Sequence, residues 1–228
     1  MSPSAAALTD DTSRAGRLHL VGGRLCLNFA NTSSGRGTDQ HLDHLTSYRT
    51  LLAWAGHASI VGEVDAAILA ELAAKKPAAA RRVHEEALAL RDTIHGIFLP
   101  IAHGKSADAE EIERLNQWLV RIMAHARLVP DEDGFDWGWT EPRHHLDSLL
   151  WPIVRSAAET LTAAPHSRIR ECPGPDCGWL FLDTSKSGRR RWCDMSVCGN
   201  RSKAREHYRR LKGEVKRPSL TDKITLTG

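Results

Sequence analysis

Long apolar runs are missing from this chain. No stretch approaches the roughly 18 residues that a membrane-crossing helix needs. The first twenty residues carry Asp10 and Asp11 and no apolar block, which excludes a signal peptide. The cytoplasm is therefore the expected location. Tyrosine and phenylalanine are scarce, at two and four residues against seven tryptophans. Catalytic signatures are missing too. His84-Glu85-Glu86 matches half of a zinc-deaminase motif, but no P-C-x-x-C follows it. Gly35-Arg36-Gly37 is too short for a phosphate-binding loop. With no nucleophile–base constellation either, the chain is not expected to be an enzyme.

What is present is ordinary globular material, with 41% hydrophobic and 26% charged residues in 228, which excludes wholesale disorder. The net charge of +3 is unevenly spread. Residues 168–217 hold 14 Lys and Arg against 6 Asp and Glu, while the rest holds 17 against 22. A basic C-terminal module on an acidic body points to a polyanionic partner. A basic solvated face without a partner is the plainer alternative.

The apolar pattern gives the organisation. Residues 1–15 are expected to be a mobile tail. Residues 18–32 alternate in part around Gly22-Gly23 and predict two short strands or a hairpin. Helical spacing follows over 41–56 and 63–75. Pro77 opens a longer helix with Val83, Ala87, Leu90, Ile94, Ile97 and Ile101 on one face, bent near Gly96 and Pro100. Ser106 is the expected N-cap of the next helix. Residues 127–140 predict strand, turn and strand. A fifth helix is expected over about 142–163, kinked at Pro152, with a boundary at Pro165.

Five cysteines occur, and four of them, Cys172, Cys177, Cys193 and Cys198, fall within 27 residues. Their spacing, Cys-x4-Cys-x15-Cys-x4-Cys, provides two close pairs. Four thiolates satisfy a tetrahedral Zn²⁺ completely and leave no position open for chemistry. One structural Zn²⁺ is the expected cofactor; an iron–sulfur cluster takes the same ligands. Between the pairs, residues 179–182 predict a strand, Ser185 to Gly188 a turn, and 189–192 a returning strand. Residues 196–212 predict a helix. This is the order of a treble-clef finger. A treble-clef nuclease would need a histidine on the hairpin, and none is there.

Arg189, Arg190 and Arg191 lie on the expected hairpin, and Arg201, Lys203, Arg205, Arg209 and Arg210 on the helix. Arginine supplies 10 of the module's 14 cations, and its fork binds phosphates and guanine edges bidentately. These eight residues are the candidate nucleic-acid contacts. Pairing with the acidic body is the alternative use for several of them. In the body, His41-x2-His44 and His144-His145 have the residue type for a second metal site, but twelve histidines scattered over helices are more often surface or core residues; Trp118, Trp137, Trp139 and Trp151 suggest an apolar pocket. Core packing explains the tryptophans equally well. Cys26 reads as a small buried apolar residue.

The cysteine pairs, the segment GWLFLDTSKSGRRRWC and the tetrapeptide Cys198-Gly199-Asn200-Arg201 resemble the CGNR zinc-finger family. LCLNFANT at 25–32 and LLWPIVRSAAETLT at 149–162 resemble the ABATE domain that precedes that finger. The resemblance spans roughly 17–211. It implies zinc on Cys172, Cys177, Cys193 and Cys198 and a stress-induced transcription regulator that binds DNA. It also leads one to expect Asp where this chain has Asn28. The fold class expected is α+β: a mostly helical domain with a few short strands over 16–165, then a small treble-clef-like finger over 166–213 and a tail over 214–228. An effector of the helical domain is expected as a further partner, and a homodimer if the target is palindromic. A zinc-finger adaptor for proteins is the rival reading.

Overall fold

The computed structural model describes residues 14–132 and 134–212; most of the expected N-terminal tail and all of the C-terminal one lie outside these residues. The chain forms two compact units, one running through Cys193 and the other starting at Asp194.

The first unit is mostly helical. Residues 25–32 do not form strands. Leu25–Ala30 is a short helix, α1, whose Cys26, Leu27, Phe29 and Ala30 are all buried. Gly23 enters it at φ 74°, a left-handed conformation that suits glycine. Two-residue strands follow, β1 (Ser33–Ser34) and β2 (Leu42–Asp43), paired antiparallel. The helix expected over 41–56 therefore starts late. It is α2, Tyr48–His57, and it begins where Ser47 and Thr50 form a reciprocal capping box.

Helix α3 (Glu63–Lys75) carries Glu63 and Asp65 in its first turn, where the helix dipole favours them. Helix α4 (Pro77–Ala102) is the spine of the unit. At 26 residues it is about 39 Å long. Its buried face runs through Ala80, Val83, Ala87, Leu90, Ile94 and Ile97, the spacing of one helical stripe. Pro100 falls in its last turn. Helix α5 (Ala109–Met123) is capped by Asp108, which accepts from Glu110 N at 2.8 Å, rather than by Ser106.

Strands β3 (Ala126–Asp131) and β4 (Gly134–Trp139) form the expected hairpin, with Leu128 opposite Trp137. The fifth helix, α6, spans Trp151–Ala163, preceded by two 3-10 turns. Pro152 therefore lies in the first turn, where its missing N–H costs no hydrogen bond, and it produces no kink. Trp54, Trp151, Phe29 and Phe98 are among the largest fully buried side chains of the core.

The unit closes with β5 (Ile169–Glu171) and β6 (Leu180–Leu182), paired antiparallel across the first cysteine knuckle. Residues 189–192 are not the returning strand that the sequence predicts. One edge of β6 is taken by β5, and the other by the side chain of Asn31. No edge is left for them.

The second unit opens with Asp194, whose carboxylate accepts from Ser196 N and Val197 N over a π-turn, Met195–Gly199. Helix α7 (Asn200–Leu211) follows and buries none of its residues. An added Cβ at Gly199 would meet the Met195 side chain, which would have to swing aside. No helix among the described residues is long and apolar enough to cross a membrane.

Candidate metal centre and basic residues

The first knuckle is built by turn formers. Cys177 N donates to Gly174 O at 3.0 Å, and Cys172 N donates to Trp179 O at 2.8 Å. Asp176 and Gly178 adopt left-handed φ of 61° and 66° to close it. The second knuckle is held by Asp194, whose carbonyl accepts from Cys198 N at 2.9 Å and Gly199 N at 3.1 Å. Asn200 adds a bond from Nδ2 to Ser196 O at 3.1 Å.

The Sγ atoms of Cys172, Cys177, Cys193 and Cys198 all lie within 4.8 Å of one another. Thiolates at about 2.3 Å from a common zinc would stand roughly 3.8 Å apart in a tetrahedron. The Cys177 and Cys193 sulfurs are 3.6 Å apart, which fits that figure. None of the five cysteines forms a disulfide. Cys172, Cys193 and Cys198 are buried, and Cys177 is half-buried. Cys172, Cys177 and Cys193 hydrogen-bond to one another. Hydrogen bonding from Cys177 pulls the Cys172 pKa down, and the same bond pushes Cys177 up to about 12. A divalent cation relieves this conflict by replacing the shared protons. The four thiolates form a site for one zinc ion, closed and structural.

The knuckle is held by the helical body as well as by metal. Asn31, 2% exposed, donates from Nδ2 to Leu180 O and accepts at Oδ1 from Leu180 N, both at 2.8 Å. Gly35 N donates to Cys177 O at 3.0 Å. Trp179 Nε1 donates to Ser34 Oγ at 2.9 Å, and that hydroxyl also meets His44 Nε2 at 3.1 Å. Leu182 N donates to Gly22 O at 2.8 Å. Asn28 holds this last turn from behind, its Oδ1 accepting from Gly22 N at 2.7 Å. A carboxylate would supply the same acceptor, so the Asn in place of the expected Asp keeps the turn.

A half-buried ion pair joins Arg91 to β2. Arg91 meets Asp43 bidentately, at 2.7 and 2.6 Å. Burial alone would raise the Asp43 carboxyl, but the Arg91 hydrogen bonds overcome it and hold the pKa below the usual range. Asn31, Ser34 and Gly35 were missed as supports of the finger. Their partners Leu180, Trp179 and Cys177 lie far along the chain, and only Asn31, within the LCLNFANT motif, carried a signal.

The arginines divide into two kinds. Arg189 and Arg191 are exposed, and Arg191 lies 4.9 Å over the Trp192 ring. Arg190 is different. Its guanidinium donates to Val21 O and Trp192 O at 3.0 Å, reaches Cys193 O, and covers the Phe181 ring at 4.5 Å. Its backbone N–H donates to the fully buried Asp183 at 2.8 Å. Arg190, expected on the binding face, is committed inside the fold. Arg201, Lys203, Arg205, Arg209 and Arg210 are exposed on α7, with Arg210 paired to Glu206.

The other sequence candidates are structural where the contacts are visible. His41 and His44 bond to Ser33 and Ser34 at 2.9 and 3.1 Å. Trp151 stacks on His125 at 4.1 Å in the core, while Trp118 and Trp137 lie beneath Arg121 and Arg155. Cys26 is fully buried, and burial pushes its thiol pKa up.

Two family models match the chain. Residues 23–164 match ABATE, described as "Putative stress-induced transcription regulator", and residues 168–211 match the CGNR zinc finger. A search of curated proteins finds no match. The ABATE match covers well over half of the chain, so the chain belongs to the ABATE family and carries a CGNR zinc finger after that domain.

Proposed function

We propose that this protein is a cytoplasmic, non-catalytic transcription regulator that binds DNA through its zinc-supported C-terminal region. The observation that carries the reading is α7. It buries no residue, and its cations Arg201, Lys203, Arg205, Arg209 and Arg210 face a single acid, Glu206. A helix that gives nothing to a core and presents one sign of charge suits a polyanion. Phosphate contacts from these residues, with Arg189 and Arg191, would position the protein, and any base contact would come from arginine forks. Arg190 is left out of the set because its guanidinium is spent on carbonyl oxygens. Zinc fixes the start of α7 through Cys198. The ABATE domain, 23–164, is the part that senses, and a homodimer matches a palindromic operator.

Fluorescence anisotropy with duplex DNA across a salt series tests this. Seven phosphate contacts predict a fall of roughly 6,000-fold in affinity between about 50 and 200 mM salt. Arg201→Ala and Arg209→Ala should each flatten that slope by about one unit. Salt-independent binding, or unchanged slopes in both variants, would reject the surface.

A protein-binding role is the second reading. Tyr208 and Leu211 are 66% and 70% exposed on the same helix. A partner retained after nuclease treatment, with no measurable DNA affinity, would favour it.

A further inference from the structure

A cavity of about 750 Å³ opens in the ABATE domain among α2, α3 and the first turns of α4. That volume lies within the roughly 300–1,000 Å³ of small-molecule sites. Leu52, Ala73 and Ala80 give it an apolar lining, and Arg49 and Arg81 stand in its wall.

Most polar groups around it are already used. Ser47 caps α2, Tyr48 Oη donates to Leu146 O at 3.0 Å, and His84 Nε2 bonds to Leu45 O at 2.9 Å. Arg49 and Arg81 make no ion pair or side-chain hydrogen bond among the described residues. Glu85 is the sole acid in the wall, so the two guanidiniums leave it net positive. The N-termini of α2 and α4 and the C-terminus of α3 all border the cavity, so helix ends of both signs meet there and the net positive charge comes from the guanidiniums. No side chain caps the start of α4.

We infer that this cavity binds a small amphipathic carboxylic acid, its carboxylate held by Arg49 and Arg81 and its hydrocarbon part on the alanine-rich lining. The two arginine forks match a carboxylate's planar geometry, and the apolar floor takes the tail. This goes beyond the DNA-binding reading and does not depend on it.

The test is calorimetric titration of the zinc-loaded full-length protein with octanoate, in the absence of DNA. Saturable one-to-one binding is expected. Arg49→Ala and Arg81→Ala should each weaken it by about tenfold or more, the size of a lost charged hydrogen bond. Ala74→Trp, at an exposed position in the cavity wall, should abolish it by filling the space. Octan-1-ol and inorganic phosphate should each bind at least about tenfold more weakly, since each lacks one half of the recognition. Unchanged circular dichroism and zinc content in the variants separate lost binding from lost fold. The inference is overturned if octanoate shows no saturable binding, or if binding survives undiminished in Ala74→Trp or the double arginine variant. It is also overturned if inorganic phosphate binds as tightly as octanoate.

Discussion

The side-chain amide of Asn31 pairs with both main-chain groups of Leu180, donating to its carbonyl and accepting from its N–H at 2.8 Å each. One side chain thus acts as a neighbouring strand along the free edge of β6. It joins the ABATE motif to the zinc finger at the strand that leads out of the first knuckle.

Replacing Asn31 with Ala strands two buried backbone groups. The expected cost is about 2–6 kcal/mol, the sum of two unsatisfied polar groups. Zinc affinity should fall with it, because the knuckle loses its support. Thermal unfolding and chelator competition measure the two effects. Wild-type values in both assays would mean that the pairing is dispensable.

Neighbouring arginines should behave oppositely. Arg190→Ala removes the donors to Val21 O and Trp192 O and uncovers the Phe181 ring, so it should lower the melting temperature. Arg189→Ala should leave stability within about 0.5 kcal/mol, as exposed substitutions do, and weaken DNA binding instead. Equal stability losses in the two variants would contradict this division.

Removing a metal ligand tests the centre. Cys193→Ser should reduce bound zinc below one ion per chain and destabilise the finger, because structural zinc supplies folding free energy. A strong chelator should do the same to the wild type. Atomic absorption reads the metal directly, and a variant that retained a full zinc ion would refute the ligand set.

Acid sensitivity should have a source in His95. Burial first, and Arg36 second, lower its pKa from 6.5 to about 4. The folded protein therefore keeps the ring neutral, while the unfolded chain takes up the proton. Stability contributed by this group is complete above 6.5 and falls as pH drops from 6.5 toward 4. The slope is at most about 1.4 kcal/mol per pH unit. Asp43 acts lower, its contribution being lost as pH falls through its depressed value. Denaturant titrations of His95→Gln should show a flatter slope between these limits; an unchanged slope would exclude His95.

Much of this was legible in the chain. The span of α4 follows from strong 3.6-residue periodicity and from Pro77 at a first turn, whereas α3 buries only Leu69 and shows no such stripe. The cysteine spacing carried the metal centre. Helix α1 did not show, because six residues buried on most sides leave no periodic face to read. The pairing of β5 with β6 was missed since three-residue strands carry little pattern, and because Asn31 fills the edge assigned to residues 189–192. The inward turn of Arg190 has no signal in a run of three arginines. Its distinction comes from carbonyl oxygens that only the fold brings near.

The most direct test of the central claim is recovery of sheared genomic DNA by the zinc-loaded protein at physiological salt, followed by sequencing. A sequence-specific regulator predicts enrichment of a few upstream regions, lost in the Arg201→Ala, Arg209→Ala double variant. Uniform recovery across the genome, or none, would contradict it.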